Sequence, residues 1–315
     1  ANALILGAST VSGTLGVTTS GAITDSGALA VTGVTTLAAG SGNDITLDVG
    51  TNNFSTVVIT SGNNVALVDA NALILGASTV SGTLGVTTAS GVTVSANVTS
   101  AGATTIDADS DNNGSGDFTV ASSQTLSITN SALSITANDM DLSGSLTSGS
   151  AATTLLVSDG GTIVLGSAGG GGLNLTNAEL QSITASVLTI GDGTAGAITI
   201  SSDVTPGASS GSGVATVSLI TGGAITGMAG GIIETNLALT ASGTINVTDA
   251  NTDVDFLAIS AAGQTVTFTD ADAIDIKTTA GVAGITATTL NLNTAGAITD
   301  TNALAVTGVA TIAAG

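Results

Sequence analysis

ANALILGASTVSGTLGVTT, residues 1–19, returns unchanged as residues 70–88, an offset of 69. A second stretch, GAITDSGALAVTGVTTLAAG at 21–40, returns as GAITDTNALAVTGVATIAAG at 296–315. That pair differs only at Ser26/Thr301, Gly27/Asn302, Thr35/Ala310 and Leu37/Ile312. Shorter echoes, GAITI at 196–200 and GAITG at 223–227, lie between them. Self-similarity of this kind sets the architecture before any single residue is read. The chain begins and ends inside repeat units, as a piece of something longer would.

Between the echoes the texture is uniform. Short runs such as Ile45–Leu47, Val57–Ile59, Leu188–Ile190, Ile198–Ile200 and Val266–Phe268 alternate apolar and small polar residues, and Gly, Asn, Asp or Ser clusters separate them. This is the period-2 strand pattern with frequent turns. Helix is disfavoured by the abundance of Gly, Thr, Val and Ser and by the near absence of Lys, Arg, Glu and Gln. The fold class is all-β. A sandwich or an antiparallel barrel would fill its middle with large side chains, whereas the aromatics here are Phe54, Phe118, Phe256 and Phe268 alone. A membrane barrel would want aromatic girdles, and Tyr and Trp are absent.

A parallel β-solenoid fits. Inward Val, Ile, Leu and Ala stack on their equivalents one coil away, and Gly and Asn form the corners because they accept positive φ cheaply. If the offset of 69 holds three coils, each coil has about 23 residues, and the chain makes about 14 coils at roughly 4.8 Å each, a rod of some 65 Å. Expected inward residues are Leu4, Ile5, Leu73, Ile74, Leu188, Ile190, Ile198 and Ile200, with Gly7, Gly76, Gly191 and Gly196 at corners. Alternation leaves open which of the adjacent Leu4 and Ile5 points in. Residues 1–315 read as one solenoid segment, with a loop or break expected at 201–213 around Pro206.

Composition excludes much chemistry. Of 315 residues 44 are Gly, 22 are acidic and one, Lys277, is basic, giving a net charge of −21. Mean hydropathy is nevertheless +0.58, which is not the polar composition of disorder. Without His or Cys there is no imidazole base, thiolate nucleophile, disulfide or zinc site of the usual kind. A single cation makes no basic patch for phosphates, so nucleic acid is not an expected partner. Anionic lipid would repel the chain, and polar residues interrupt every apolar run, so no membrane insertion is expected.

Several local patterns invite a site. Asp107, Asp109, Asp111 and Asp117, in the stretch DADSDNNGSGD, resemble the start of a calcium loop, since Ca²⁺ takes six to eight oxygens from a flexible acidic turn. An EF-hand would place Gly at 112 and Glu at 118, where this chain has Asn112 and Phe118, and a solvated polar excursion is the competing reading. Calcium is the one metal the pattern suggests, and no other cofactor is implied. Asp249, Asp253, Asp255, Asp270, Asp272 and Asp275 read as an acidic stripe along neighbouring corners. Paired carboxylates can run glycoside hydrolysis, but no aromatic platform, His or Arg accompanies them. Lys277 reads as a surface charge paired with Asp275 or Asp272. Gly169–Gly172 lacks the Lys-Ser/Thr of a phosphate cradle and reads as a corner. Thr265-Val-Thr267-Phe-Thr269 resembles the outward threonine ladders of ice-binding solenoids, but a flat ice face needs that ladder at the same position in every coil and the sequence does not repeat it, so a strand with polar residues outward is expected. Asn-X-Ser/Thr sequons stand at Asn53, Asn97, Asn113, Asn174 and Asn246.

GAITDSGALAVTGVTTLAAGSGNDITL (21–47), NSALSITANDMDLSGSLTSGS (130–150) and GGLNLTNAELQSITASVLTIGDGTAGAITI (171–200) resemble the passenger repeats of filamentous-haemagglutinin-like exoproteins, large bacterial surface or secreted proteins of the two-partner-secretion type. The resemblance lies in phrasing and periodicity and has no catalytic residues to transfer. It implies a right-handed parallel β-helix, an extracellular or cell-surface location and a role in adhesion, aggregation or fibre formation. The expected function is therefore a non-enzymatic structural or adhesive shaft, with copies of itself or other cell surfaces as partners. A self-assembling extracellular filament or sheath subunit is the competing reading.

Overall fold

The computed structural model describes residues 2–170, 172–206 and 213–315. They form an all-β fold of parallel sheets stacked as a β-solenoid of about 15 turns. One α-helical turn, Asn177–Gln181, occurs among them, and its start is a capping box: Thr176 Oγ1 accepts from the Glu179 N–H while the Glu179 carboxylate accepts from Thr176. That Thr-x-x-Glu signal was present in a sequence otherwise hostile to helix. The chain divides into two compact units, Ala1–Thr153 and Thr154–Gly315.

In the first unit each coil has three strands on three faces. The first face stacks Leu4–Leu6, Ile23–Asp25, Ile45–Leu47, Val65–Asp69, Leu84–Thr88, Thr104–Asp107 and Leu133–Ala137, each parallel to the next. Leu4 pairs with Ile23, and Ile45, Val65, Leu84, Thr104 and Leu133 follow in register. The spacing along this column is nearly even until the last step, from Thr104 to Leu133, which is longer. Hydrogen bonds from one coil to the next commonly span an offset of 20, as from Ser95 Oγ to the Leu75 carbonyl. A coil is thus shorter than a third of the repeat offset.

The reason is visible in the identical stretches. In the first copy Leu4–Leu6 lies on the first face, Ser9–Val11 on the second against Leu29–Val31, and Leu15–Thr18 on the third against Thr35–Ala38. In the second copy Leu73–Leu75 leaves the first face and stacks between Thr56–Val57 and Val92–Val94, Ser78–Val80 pairs with Val98–Ser100, and Leu84–Thr88, the equivalent of Leu15–Thr18, lies on the first face against Val65–Asp69. Three coils are already complete between Leu4 and Val65. What remains of the offset, from Val65 to Leu73, advances the sequence by one face.

The core is a column of Val, Ile and Leu with few large side chains, each fully buried residue worth roughly 1.5–3 kcal/mol. Phe54, Phe118 and Phe268 are buried within it. The ambiguity between neighbouring apolar residues resolves clearly: Leu73 and Leu75 are 1% exposed, while Ile74 is 37% exposed and points outward, as does Ile5 at 65%. Ile5 and Ile74 are therefore corrections to the inward set; Leu4, also expected inward, is 37% exposed in the first coil, whereas Leu188, Ile190, Ile198 and Ile200 are buried. Of the four corner glycines only Gly191 takes the left-handed conformation, φ +79°, where a Cβ would also strike the Ile220 carbonyl. At Gly76 the requirement is close packing, since a Cβ would sit 2.6 Å from Val58 Cγ2.

The second unit uses longer strands that turn corners without breaking. Asp253–Asp270 pairs successively with Ile233–Ala241 and with Ile245–Val247. Register runs Val217, Leu237, Leu257 on one face and Ile225, Ile245, Val266, Leu290, Ala310 on another. Of the break expected at 201–213, residues 207–212 lie outside the described residues. On its near side the ladder continues, with Ser201 donating to the Leu165 carbonyl at 2.8 Å and Val204 to that of Gly231 at 2.9 Å.

Candidate functional site

The long step between Thr104 and Leu133 contains the acidic excursion. Asp109 is fully buried, and its carboxylate accepts from the backbone N–H groups of Asn113 (3.3 Å) and Gly114 (3.2 Å). The loop closes through Asn112 and Gly114 in the left-handed region, φ 50° and 75°. Asp107 accepts from the Asp109 N–H, and burial raises its pKa, with the Asp109 charge adding to the effect. Asp111 accepts from Asn113 Nδ2 at 2.8 Å, and Asp117 turns to the next coil, where Asn138 Nδ2 donates to it at 3.2 Å.

Among the described residues no three acidic side chains are placed together to hold a metal ion. The carboxylate nearest the centre of the turn is committed to backbone N–H groups, so its geometry is that of a loop organiser. Asp109→Ala should cost about 1–3 kcal/mol, because the buried acceptor that holds the turn through two backbone N–H groups is removed, whereas Asp111→Ala should stay within about 0.5 kcal/mol. Urea midpoints of the two variants check this. Melting of the parent chain with calcium or with a chelator should coincide, and a chelator-sensitive transition would return the loop to the metal reading.

The second acidic group does come together in part. Buried Asp270 accepts from the N–H groups of Val254 (2.9 Å) and Asp272 (3.2 Å). Burial pushes its pKa up to about 6 against those hydrogen bonds, and the charges of Asp272 and Asp253 add to the rise. Asp253 is raised by burial, then by Asp272 and Asp255. The first unit repeats the device: buried Asp69 accepts from Phe54 N–H at 2.6 Å and Asn71 N–H at 2.8 Å, and burial raises its pKa. Asp249 accepts from Asn251 N–H and Asp275 from Thr299 Oγ1, so both are turned to other partners.

A groove of about 410 Å³ passes Ile233, Glu234, Asn236, Asp253 and Asp255. Its ionisable groups are all carboxylates, and it presents no paired nucleophile and base. Lys277 does not follow the expectation of an aspartate partner: its ammonium lies over the Phe256 ring, 2.8 Å from the centroid. The register explains the choice, since Phe256 sits beside Asp275 one coil away and a cation is attracted to the ring face.

The glycine run behaves as a corner, with Gly169, Gly170 and Gly172 at positive φ between the paired strands Ile163–Gly166 and Leu173–Thr176. Of the sequons, Asn53, Asn97 and Asn113 are exposed, while Asn174 and Asn246 are half-buried. The threonine strand is the larger surprise. Thr267 is in register with Asn246 on one side and Asn291 on the other, and the column continues to Thr226, Thr199 and Thr311. The step from Asn246 to Thr267 is shorter than the step from Thr267 to Asn291, so no constant period in the sequence reveals the column.

No helix among the described residues is long and apolar enough to cross a membrane. No curated protein and no solved structure matches the chain. Two consecutive stretches do match a family model, and the first, residues 1–61, is as long as the three-coil distance from Leu4 to Val65. The chain is a β-solenoid repeat protein similar, over residues 1–61 and again over 62–125, to the family described as "Repeats of unknown function (DUF5649)".

Proposed function

We propose that this solenoid is a non-enzymatic structural or adhesive shaft of a large bacterial surface or secreted protein, and that it acts outside the cell. The observation that carries the reading is the division of labour along each strand. Inward positions hold Val, Ile and Leu stacked coil on coil, and outward positions hold mainly Thr, Ser, Asn and Asp. Such a surface is built to be long and solvated, and its charge of −21 opposes lateral sticking at low salt. The filamentous-haemagglutinin-like phrasing of residues 21–47, 130–150 and 171–200 supports the extracellular assignment. The reading assigns no cofactor. Its partners are other cell surfaces or further copies of the chain.

Immunogold labelling of intact source cells tests it. Antibody to the chain should decorate unpermeabilised cells or fibres shed from them. Label that appears only after permeabilisation would overturn the extracellular shaft.

A further inference from the structure

Three successive coils of the second unit present a regular outward grid. One coil offers Thr244, Asn246 and Thr248, the next Thr265, Thr267 and Thr269, the third Thr289, Asn291 and Asn293. The inward residues between them, Ile245, Val247, Val266, Phe268, Leu290 and Leu292, are all buried, so these nine positions share one face. None of the nine is buried. Every one is Thr or Asn in a chain with 22 acidic residues, and charge begins at the margin, with Asp249 after Thr248 and Asp270 and Asp272 after Thr269.

Spacing on this face is set by the backbone. Neighbouring coils stand about 4.8 Å apart, and alternate residues along a strand about 6.6 Å apart. Thr is stiff at χ1, so its hydroxyl and methyl recur in nearly the same place from coil to coil. Within the grid Asn291 Nδ2 lies 3.5 Å from Thr267 Oγ1. Among the described residues the other seven side chains make no hydrogen bond inside the chain. The grid is thus neutral, rigid and periodic in two directions, with a hydrogen-bonding group in each cell and no aromatic ring on which a sugar face could stack.

We infer that this Thr/Asn face binds the ordered water lattice of an ice surface. A neutral face in a strongly acidic chain suits an uncharged ligand. Two-dimensional regularity suits a ligand that is itself periodic, and groups already fixed in position lose little entropy on binding. The inference does not depend on where the chain resides.

Partition of the fluorescently labelled full chain into a slowly growing ice front tests it, with serum albumin as the background protein. The parent should enter the ice, and Thr267→Tyr, at the centre of the grid, should lower its enrichment about tenfold or more. Thr93→Tyr, outward on the first unit, should leave it unchanged. Circular dichroism melts establish that both variants fold, and if T267Y does not, Asn246→Asp, equal in size but charged, carries the test. A parent excluded from ice like albumin would overturn the inference. So would equal losses in T267Y and T93Y, or binding to crystalline cellulose or chitin without binding to ice.

Discussion

Leu73→Asp should open the coils around it, whereas Ile74→Asp, one residue along, should leave them nearly intact. Leu73 is 1% exposed and stacks on Val92 of the following coil. An aspartate there would lose the apolar contacts and place an unpaired carboxylate among Val and Leu side chains, a cost above about 4 kcal/mol. Ile74 is 37% exposed and sits between Thr56 and Thr93, neither of them charged. Its replacement should change stability by no more than about 0.5 kcal/mol. Because solenoid coils are stabilised mainly by their neighbours, loss should be local before it is global. Hydrogen exchange is therefore the appropriate readout. Amides of Asn53–Ser61 and Val92–Val94 should lose protection in L73D and keep it in I74D. Equal protection in the two variants would mean that the inward assignment is wrong.

Acidification from pH 7 to about pH 4 should stabilise this protein. Asp270 titrates near 6 in the folded state against an ordinary 3.8, so between those values the folded chain holds a proton that the unfolded chain releases. Stability linked to this group is complete below 3.8 and is lost as pH rises through 6. Asp69, Asp107 and Asp253 are displaced in the same direction by burial. Asp44 and Asp192 are displaced downward, Asp44 by hydrogen bonds from Asn64 and Asn63, Asp192 by bonds from Thr194 and Ala195 that outweigh its burial. Their contributions disappear only below the ordinary aspartate range.

The midpoint of thermal unfolding should therefore climb from pH 7 to about pH 4, with Asp270 supplying about 1–2 kcal/mol and at most about 3. Asp270→Asn keeps an acceptor for the Val254 N–H and abolishes the proton uptake, so it should flatten the profile between pH 4 and 6 and raise stability at pH 7. Asp141→Asn, an exposed control, removes one negative charge and should leave the slope unchanged. If D270N retains the parent slope, relief of general charge repulsion, not this corner, is the cause.

Much of the fold was legible because the solenoid writes its period-2 pattern and its turn residues into every coil. What misled was the repeat itself. An offset of 69 divides neatly by three, yet the three coils that begin at Leu4 are complete at Val65, and the rest of the offset is spent on one face. Leu4-Ile5-Leu6 offered alternation without a phase, and only the neighbours in the adjoining coil determine that the middle residue faces solvent. The Thr/Asn grid was hidden for a related reason, since corner lengths vary and the vertical neighbours Asn246, Thr267 and Asn291 are unequally spaced along the chain. The acidic turn was visible as a cluster of oxygens, but not that backbone N–H groups of the same turn claim Asp109. In the sequence Lys277 stands beside the carboxylates Asp275 and Asp272, whereas its partner, Phe256, lies one coil below.

The displacement of one sequence across faces has a genetic consequence. A segment that serves on more than one wall carries no fixed address, so a duplication or deletion need not respect the coil boundary to be folded. Copying errors at the level of DNA can then add a third of a turn as readily as a whole one, and downstream segments simply rotate to the next wall. Chains built on this rule can change length by unequal crossing-over in small increments, while any surface that depends on vertical alignment, the Thr/Asn grid among them, is re-indexed each time such an event occurs within it.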